Sequence, residues 1–506
     1  MSQYFEMGDQ TLWNALNGAA RLFLRHMALY EAEMDLPSGI GPMEADACQI
    51  DPTDFKVFVE ALLVGLGQVA CGVACLSASV CVDGGVTPDE IAAVRGELED
   101  FAGEVFEPFA RNDQRRWGQV YVRGLLTDGK RKSVEPMAAR LGEDGNRQAL
   151  AHFVTTSPWD PSHIRARLAW KVEAVIRPTA VVFDDTGFLK DGDASACVSR
   201  QYTGTAGKVT NCQVGVSLHL TSPHASTAVN WRLFLPETWA AGSPKADPNK
   251  VARRTACGIP DDIGHVEKWQ TALDMVDETR SWGIDVPLAI ADAGYGDAAA
   301  FRLGLAARGL NYVVGISTTL SAQPGQAVPV TGDYSGTGRP PVAKYPNKPQ
   351  SVRQLVIAAG RKAAKPVQWR EGSRPGTGRS GLKRMYSRFV TLRIRPAGRE
   401  IARATDGPVL PECWLLAEWP AREDEPVQFW LSDLPADTPL TTLVRLAKLR
   451  WRIEHDYREM KQALGLAHFE GRTWRGWHHH VTLVSVAHAF CTLQRLARAP
   501  KGTAPA

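Results

Sequence analysis

The chain has 506 residues, 44% of them hydrophobic, and a formal net charge of +3. That length excludes one compact core and predicts two to four structural units of ordinary globular composition. The nine cysteines are odd in number and scattered, with no CxxC pair and no paired Cys/His spacing, which excludes a zinc site of that kind and fits reduced thiols in a cytoplasm.

From the amino terminus, Met1 to Gly18 carries acids and lacks the basic-then-apolar order of a secretory signal. The first 110 residues read as an acidic, all-helical extension of unknown role, with an amphipathic helix predicted over Pro88 to Phe109 after the break at Gly84 and Gly85. Within it, Ala61 to Val82 is uncharged and long enough to span a bilayer. It is rich in Gly, Ala, Ser and Cys rather than Leu and Phe, so a buried helix or helical hairpin is expected and no membrane partner. Residues 111–175 turn basic, and two short helices around the turn from Gly142 to Gly145 form a helix-turn-helix-like pair.

From Ala180 the period changes. The runs VVFDDTGF and NCQVGVSLHL predict adjacent strands, Val266 to Trp282 a helix, PLAIAD a buried strand ending in a Gly-Tyr-Gly turn, FRLGLAARGL a helix and NYVVGI another buried strand. Strand, helix and strand in this order imply an α/β sheet with carboxylates at strand ends over 176–317. Residues 318–439 break the rhythm with Gly/Pro-rich loops and three strand-like runs, FVTLRIR, CWLLAEW and VQFWLSDL, and read as a β-rich insertion. One long helix is expected from Thr441, closed by Gly465, then a last apolar helix to residue 498 and a disordered tail over 499–506.

Charge is uneven. Arg339 to Arg403 holds 17 Lys and Arg against Glu371 and Glu400. Arg370, Arg374, Arg379, Lys383, Arg384, Arg388, Arg393 and Arg395, with Trp369 and Tyr386 among them, suit a groove that neutralises phosphates and stacks a displaced base. In the basic amino-terminal helices, Arg115, Arg116, Arg123, Lys130, Arg131 and Lys132 are candidates to hold a DNA duplex.

Three acids stand where chemistry on phosphodiesters needs them. Cleavage requires neutralising the pentacovalent state and deprotonating a water or hydroxyl, which two divalent ions held by convergent carboxylates accomplish. Asp185 lies where the strand VVFDD meets a turn, Asp292 ends the strand PLAIAD, and Glu454 sits mid-helix. Each alone is an ordinary turn, cap or solvated residue. On the helix, Arg450 and Lys461 flank Glu454 at spacings that share one face, suited to phosphate contacts. His478, His479 and His480 are adjacent and cannot all face one ion, so helix-end packing is expected of them.

These residues resemble the DDE transposases of bacterial insertion sequences, in the cut-and-paste group whose glutamate helix carries a Tyr-x2-Arg-x3-Glu-x6-Lys signature. RWRIEHDYREMK supplies the Arg, Glu and Lys at Arg450, Glu454 and Lys461, while RKSVEPMAAR, DDTGFLK, RQYTGTAGKVTNCQ, ADAGYGD and SRFVTLRIRPA extend the resemblance from about Arg111 to Leu496. The resemblance implies a ribonuclease-H-like catalytic core interrupted by a β-rich insertion, with the core resuming over 440–498. It also implies a Mg²⁺ pair, replaceable by Mn²⁺, on Asp185, Asp292 and Glu454, and a cytoplasmic homodimer that joins inverted-repeat ends to target DNA. In the family register the first acid directly precedes Thr186, which is Asp185, with Asp184 the adjacent alternative; strand alternation lets only one of the two face the site. The signature Tyr is replaced by Ala447. A domesticated relative that binds DNA without cutting is the alternative, disfavoured by the presence of all three acids.

Overall fold

The computed structural model describes residues 2–7, 10–16, 47–49, 88–334, 336–375 and 382–498. The chain divides into two compact units, Met1–Glu97 and Leu98–Ala506.

The first unit corrects the all-helical expectation. Strands β1 (Ser2–Met7) and β2 (Gln10–Leu16) form an antiparallel hairpin, and β3 (Ala47–Gln49) pairs parallel with β1. Met7 faces Gln10 in the register, a strand pairing that the acidic composition does not reveal. The acidic helix Pro88–Val105 forms where its spacing predicts. Ala61 to Val82 lies outside the described residues, as does the tail 499–506. No helix among the described residues is long and apolar enough to cross a membrane.

In the second unit four helices, Asn112–Leu126, Val134–Arg140, Arg147–Thr155 and Pro161–Ile176, precede the sheet. Their starts are written locally: Asn146 accepts from Ala149 N, and Asp160 accepts from Ser162 N with Pro161 at the first helical position. They gather around the carboxy-terminal helix Trp474–Arg498, whose His479 ring stacks on Trp159 at 3.6 Å and whose His480 bonds the Tyr121 hydroxyl at 3.0 Å. All three adjacent histidines are buried, and burial lowers their pKa values. They are packing groups, as the adjacency argument requires.

The sheet is built on β4 (Ala180–Leu189). Antiparallel β6 (Lys208–Thr221) lies on one side of it, bordered by β7 (Ser226–Leu233) and β5 (Ser199–Thr203). Parallel β8 (Leu288–Ala291) lies on the other, followed by parallel β9 (Asn311–Ile316). The insertion does not stand apart from this sheet. Its strands β10 (Ser321–Pro324), β11 (Gln350–Ser351), β12 (Lys365–Pro375), β13 (Leu382–Pro396), β14 (Cys413–Glu418) and β15 (Gln428–Ser432) continue it, because β15 pairs antiparallel with β9. The three strand-like runs of the insertion are β13, β14 and β15.

The two faces of β4 are covered differently. On the odd-numbered side Phe183 meets Phe301 edge-on in the helix Ala299–Ala307, and Gly304 of that helix lies against Leu273 of the helix Lys268–Ser281. On the even-numbered side Phe188 meets Trp477, and a Cβ on the paired Gly215 would come within 2.7 Å of the Trp477 ring. The predicted long helix is two, Leu440–Leu449 and Trp451–Gln462. Arg450 between them keeps helical angles (φ −56°, ψ −28°), so the hydrogen-bond ladder is interrupted while the backbone stays helical. Gly465, at φ +69°, follows the helix as its stop.

Candidate active site

Asp184 and Asp292 are brought level by strand register. Val181 pairs with Ala289 and Val182 with Ile290, so Asp292, immediately after β8, falls beside Asp184. Asp292 accepts from Gly294 N at 2.9 Å and caps the short turn Ala293–Gly296. That turn lies so close to β9 that a Cβ on Gly296 would stand 2.0 Å from the Gly315 carbonyl oxygen, which explains the glycine in the Gly-Tyr-Gly sequence.

The glutamate helix, Trp451–Gln462, crosses the same face. Arg450 donates to Asp184 at 2.7 Å and to Glu454 at 3.1 Å, and it also interacts with Asp292, so one guanidinium links the three carboxylates. Asp184 is buried, whereas the Glu454 side chain is 58% exposed at the mouth of the site. Burial pushes the Asp184 carboxyl up to about 7; Arg450 opposes the shift, and Asp292 and Asp185 add to it. Asp292 is likewise raised by burial, against Arg450. Clustered carboxylates held above their ordinary range create a demand for positive charge that Arg450 only partly meets.

Asp185, the first acid in the family register, is partnered differently, although it too acts electrostatically on Asp184 and Asp292. Asp185 bonds Lys268 at 2.7 Å, at the start of the helix Lys268–Ser281 that packs on the opposite face. Consecutive strand residues point to opposite sides, so Asp184, the adjacent alternative, faces Asp292 and Glu454. Asp184, Asp292 and Glu454 thus share Arg450 as a partner. As they stand, no three Asp, Glu, His or Cys groups among the described residues converge tightly enough to enclose an ion.

A buried chain of hydrogen bonds fixes the glutamate helix to β6. The Tyr457 hydroxyl pairs with Ser217 Oγ at 2.6 Å, Ser217 with His219 Nε2 at 2.9 Å, and His219 Nδ1 with Asp456 at 3.1 Å. Ser217 is the strand partner of Asp184, and Asp456 and Tyr457 follow Glu454 within one helical turn, so the network sets how the two acids meet. Burial lowers the His219 pKa although Asp456 raises it, leaving a neutral ring that donates to the carboxylate. Asp456→Ala is expected to cost about 3 kcal/mol of stability by stranding the buried imidazole. Urea unfolding measures this, and an unchanged midpoint would show that the network carries no such load.

The predicted cations separate into two groups. Lys132 is buried and donates to the Thr127 carbonyl, Arg115 caps the carbonyls of Phe109 and Glu107, and Arg131 pairs with Glu470 at 2.6 Å. Of these, only Lys132 is withdrawn from the surface, whereas Arg115 and Arg131 remain exposed. Arg116 and Lys130 extend from the surface as a DNA contact requires, Arg116 over the Trp117 ring. In the insertion, Arg388 donates to the Ala364 carbonyl, and Arg393 and Arg395 pair with Glu412. Arg370 lies 3.9 Å from the Trp451 ring centroid, which joins the insertion to the first residue of the glutamate helix. Lys383 and Arg384 are exposed beside Tyr386; Arg379 lies outside the described residues, as does the Arg374 side chain. Lys461 donates to the Gly187 carbonyl at 3.0 Å and to Thr205 at 2.8 Å, and burial lowers its pKa to about 8. Ala447, in place of the signature Tyr, is buried.

Residues 104–376 match the family model described as DDE superfamily endonuclease, a span that includes Asp184, Asp185 and Asp292. The chain belongs to the DDE superfamily endonucleases. Glu454 lies beyond the matched span and is linked by Arg450 to Asp184 and Asp292, which lie within it. Residues 1–74 match a different family, of unknown function (DUF6086). A curated relative, "Probable transposase for insertion sequence element IS701" of Microchaete diplosiphon, is 29% identical over 196 residues, covering 38% of this chain and 46% of its own length. The chain thus spans about half the length of that relative.

Sequence reasoning missed Lys268, the His219–Asp456 network and the stacking of Arg370 on Trp451. Strand alternation contained the signal for Asp184, because β8 and β4 can be set in register from their apolar runs. The other three depend on partners distant in sequence.

Proposed function

We propose that this chain is a cut-and-paste DNA transposase that binds inverted-repeat ends as a homodimer and catalyses metal-dependent strand cleavage and strand transfer. One observation carries the reading: Arg450 links the carboxylates of two adjacent strand ends, Asp184 and Asp292, to Glu454 on the crossing helix. A ribonuclease-H-like core is supported by the order β7-β6-β4-β8-β9, three antiparallel strands followed by two parallel ones. In this reading 111–175 contributes end binding through Arg116 and Lys130, 318–439 contributes backbone contacts through Lys383 and Arg384, and 440–498 completes the core.

Asp184, Asp292 and Glu454 would hold a pair of Mg²⁺ ions, or Mn²⁺ in their place. Such ions, when bound, neutralise the pentacovalent state and acidify the attacking water or 3′-hydroxyl. Asp184, buried and fixed by its strand, is the most rigid donor; Glu454, exposed at the mouth, is the adjustable one. Arg450 keeps the acids together and stands where a phosphate oxygen would meet a guanidinium.

Asp292→Asn and Glu454→Gln are expected to reduce cleavage of DNA bearing the element's ends by at least ~10³-fold while leaving end binding in place. Gel shift and nicking assays on one substrate measure both. Retained cleavage in either variant refutes the site, and absence of strand-transfer products with the wild type reduces the reading to a nuclease.

A further inference from the structure

The hairpin of β5 and β6 extends past the point where β6 leaves β4, and its turn comes back to the site. Thr205 in the turn bonds both the amide and the carbonyl of Gly187, and Lys461 of the glutamate helix joins Thr205 to that carbonyl. A Cβ on Gly187 would stand 2.0 Å from the Thr203 hydroxyl, so the hairpin is seated directly on the strand. Gly187 is three residues beyond Asp184, about 10 Å along a strand.

The outer side of this hairpin has no packing partner among the described residues. Tyr202 is 64% and Val209 53% exposed, and the two are direct cross-strand partners. Arg200, on the same side as Tyr202, is exposed, while Lys208 pairs with the inward Thr203. The inward residues are engaged instead: Gln201 donates to the Cys212 carbonyl, and Thr203 is buried. Of the acids on the neighbouring loop, Asp193 is paired with Arg253 at 2.9 Å. An aromatic ring beside an aliphatic wall, flanked by Arg200 and fastened to the strand that carries Asp184, has the features of a platform for an unpaired nucleotide: the ring stacks a base and the cation contacts its phosphate.

We infer that Tyr202 and Val209 stack an unpaired base of the DNA strand next to the scissile phosphate, with Arg200 holding its backbone. This rests on the transposase reading above and adds the state of the DNA that the site takes: a frayed end rather than an intact duplex.

The test uses the full chain and a DNA duplex frayed by mismatches at one end, carrying 2-aminopurine there, against the same duplex fully paired. The wild type is expected to bind the frayed duplex more tightly and to quench the fluorophore by stacking. Tyr202→Ala is expected to lose about tenfold in affinity for the frayed duplex only, and Tyr202→Phe to retain it. Equal binding of the frayed duplex by wild type and Tyr202→Ala overturns the inference, as does a wild type without preference between the two DNAs. Metal-dependent nicking is scored separately: its absence in the wild type sinks the transposase reading, while the fluorescence still decides the platform.

Discussion

Asp184→Asn is expected to abolish metal-dependent strand cleavage, by at least ~10³-fold, whereas Asp185→Asn is expected to lose no more than about tenfold. The reason is directional. Asp184 lies on the side of β4 that Arg450 and Glu454 cross, level with Asp292, while Asp185 is bound to Lys268 at 2.7 Å on the other side. Replacing Asp185 breaks a half-exposed ion pair, an interaction of modest worth. Parallel nicking assays of the two variants under one metal concentration separate the assignments. A dead Asp185→Asn with an active Asp184→Asn would restore the motif register as the guide.

Metal-free protein is expected to be more stable as Asp184→Asn than as wild type at pH 8, and no more stable at pH 4. The Asp184 carboxyl titrates at about 7 in the folded chain, raised from the ordinary 3.8 mainly by burial. The folded state therefore binds this proton more tightly than the unfolded state does. Its cost to stability is absent below about pH 4, grows from there to pH 7, and above pH 7 reaches at most about 4 kcal/mol. Urea unfolding in EDTA at the two pH values measures it, and equal stability of variant and wild type at pH 8 would show that no such cost exists. The same proton competes with a metal ion, so the apparent metal affinity should fall about tenfold per pH unit below 7. Cleavage under subsaturating Mg²⁺ should follow that slope.

Much of this molecule is legible in local pattern. Apolar runs ending in an acid locate β4 and β8, the spacing of Arg450, Glu454 and Lys461 locates the helix face, and the runs FVTLRIR, CWLLAEW and VQFWLSDL locate the insertion strands. These succeed because side-chain period is a property of a short stretch of chain. The amino-terminal strands are not legible in the acidic composition, because strand pairing depends on a partner segment. The role of each basic residue was not legible at all. Lys132 and Lys383 look alike in sequence, yet one is buried against the Thr127 carbonyl and the other is exposed near the end of a hairpin.

By itself the sequence determined the three kinds of acid-bearing element, the order in which they occur and the family they belong to, because each is encoded in contiguous residues. Only the tertiary structure set Asp184 against Arg450 and Asp185 against Lys268, made the insertion continue the sheet through β15 and β9, and tied the glutamate helix to β6 through His219 and Asp456. Each of these depends on which face of one strand meets an element tens or hundreds of residues away, and a one-residue change in register reverses that face while barely altering the local pattern.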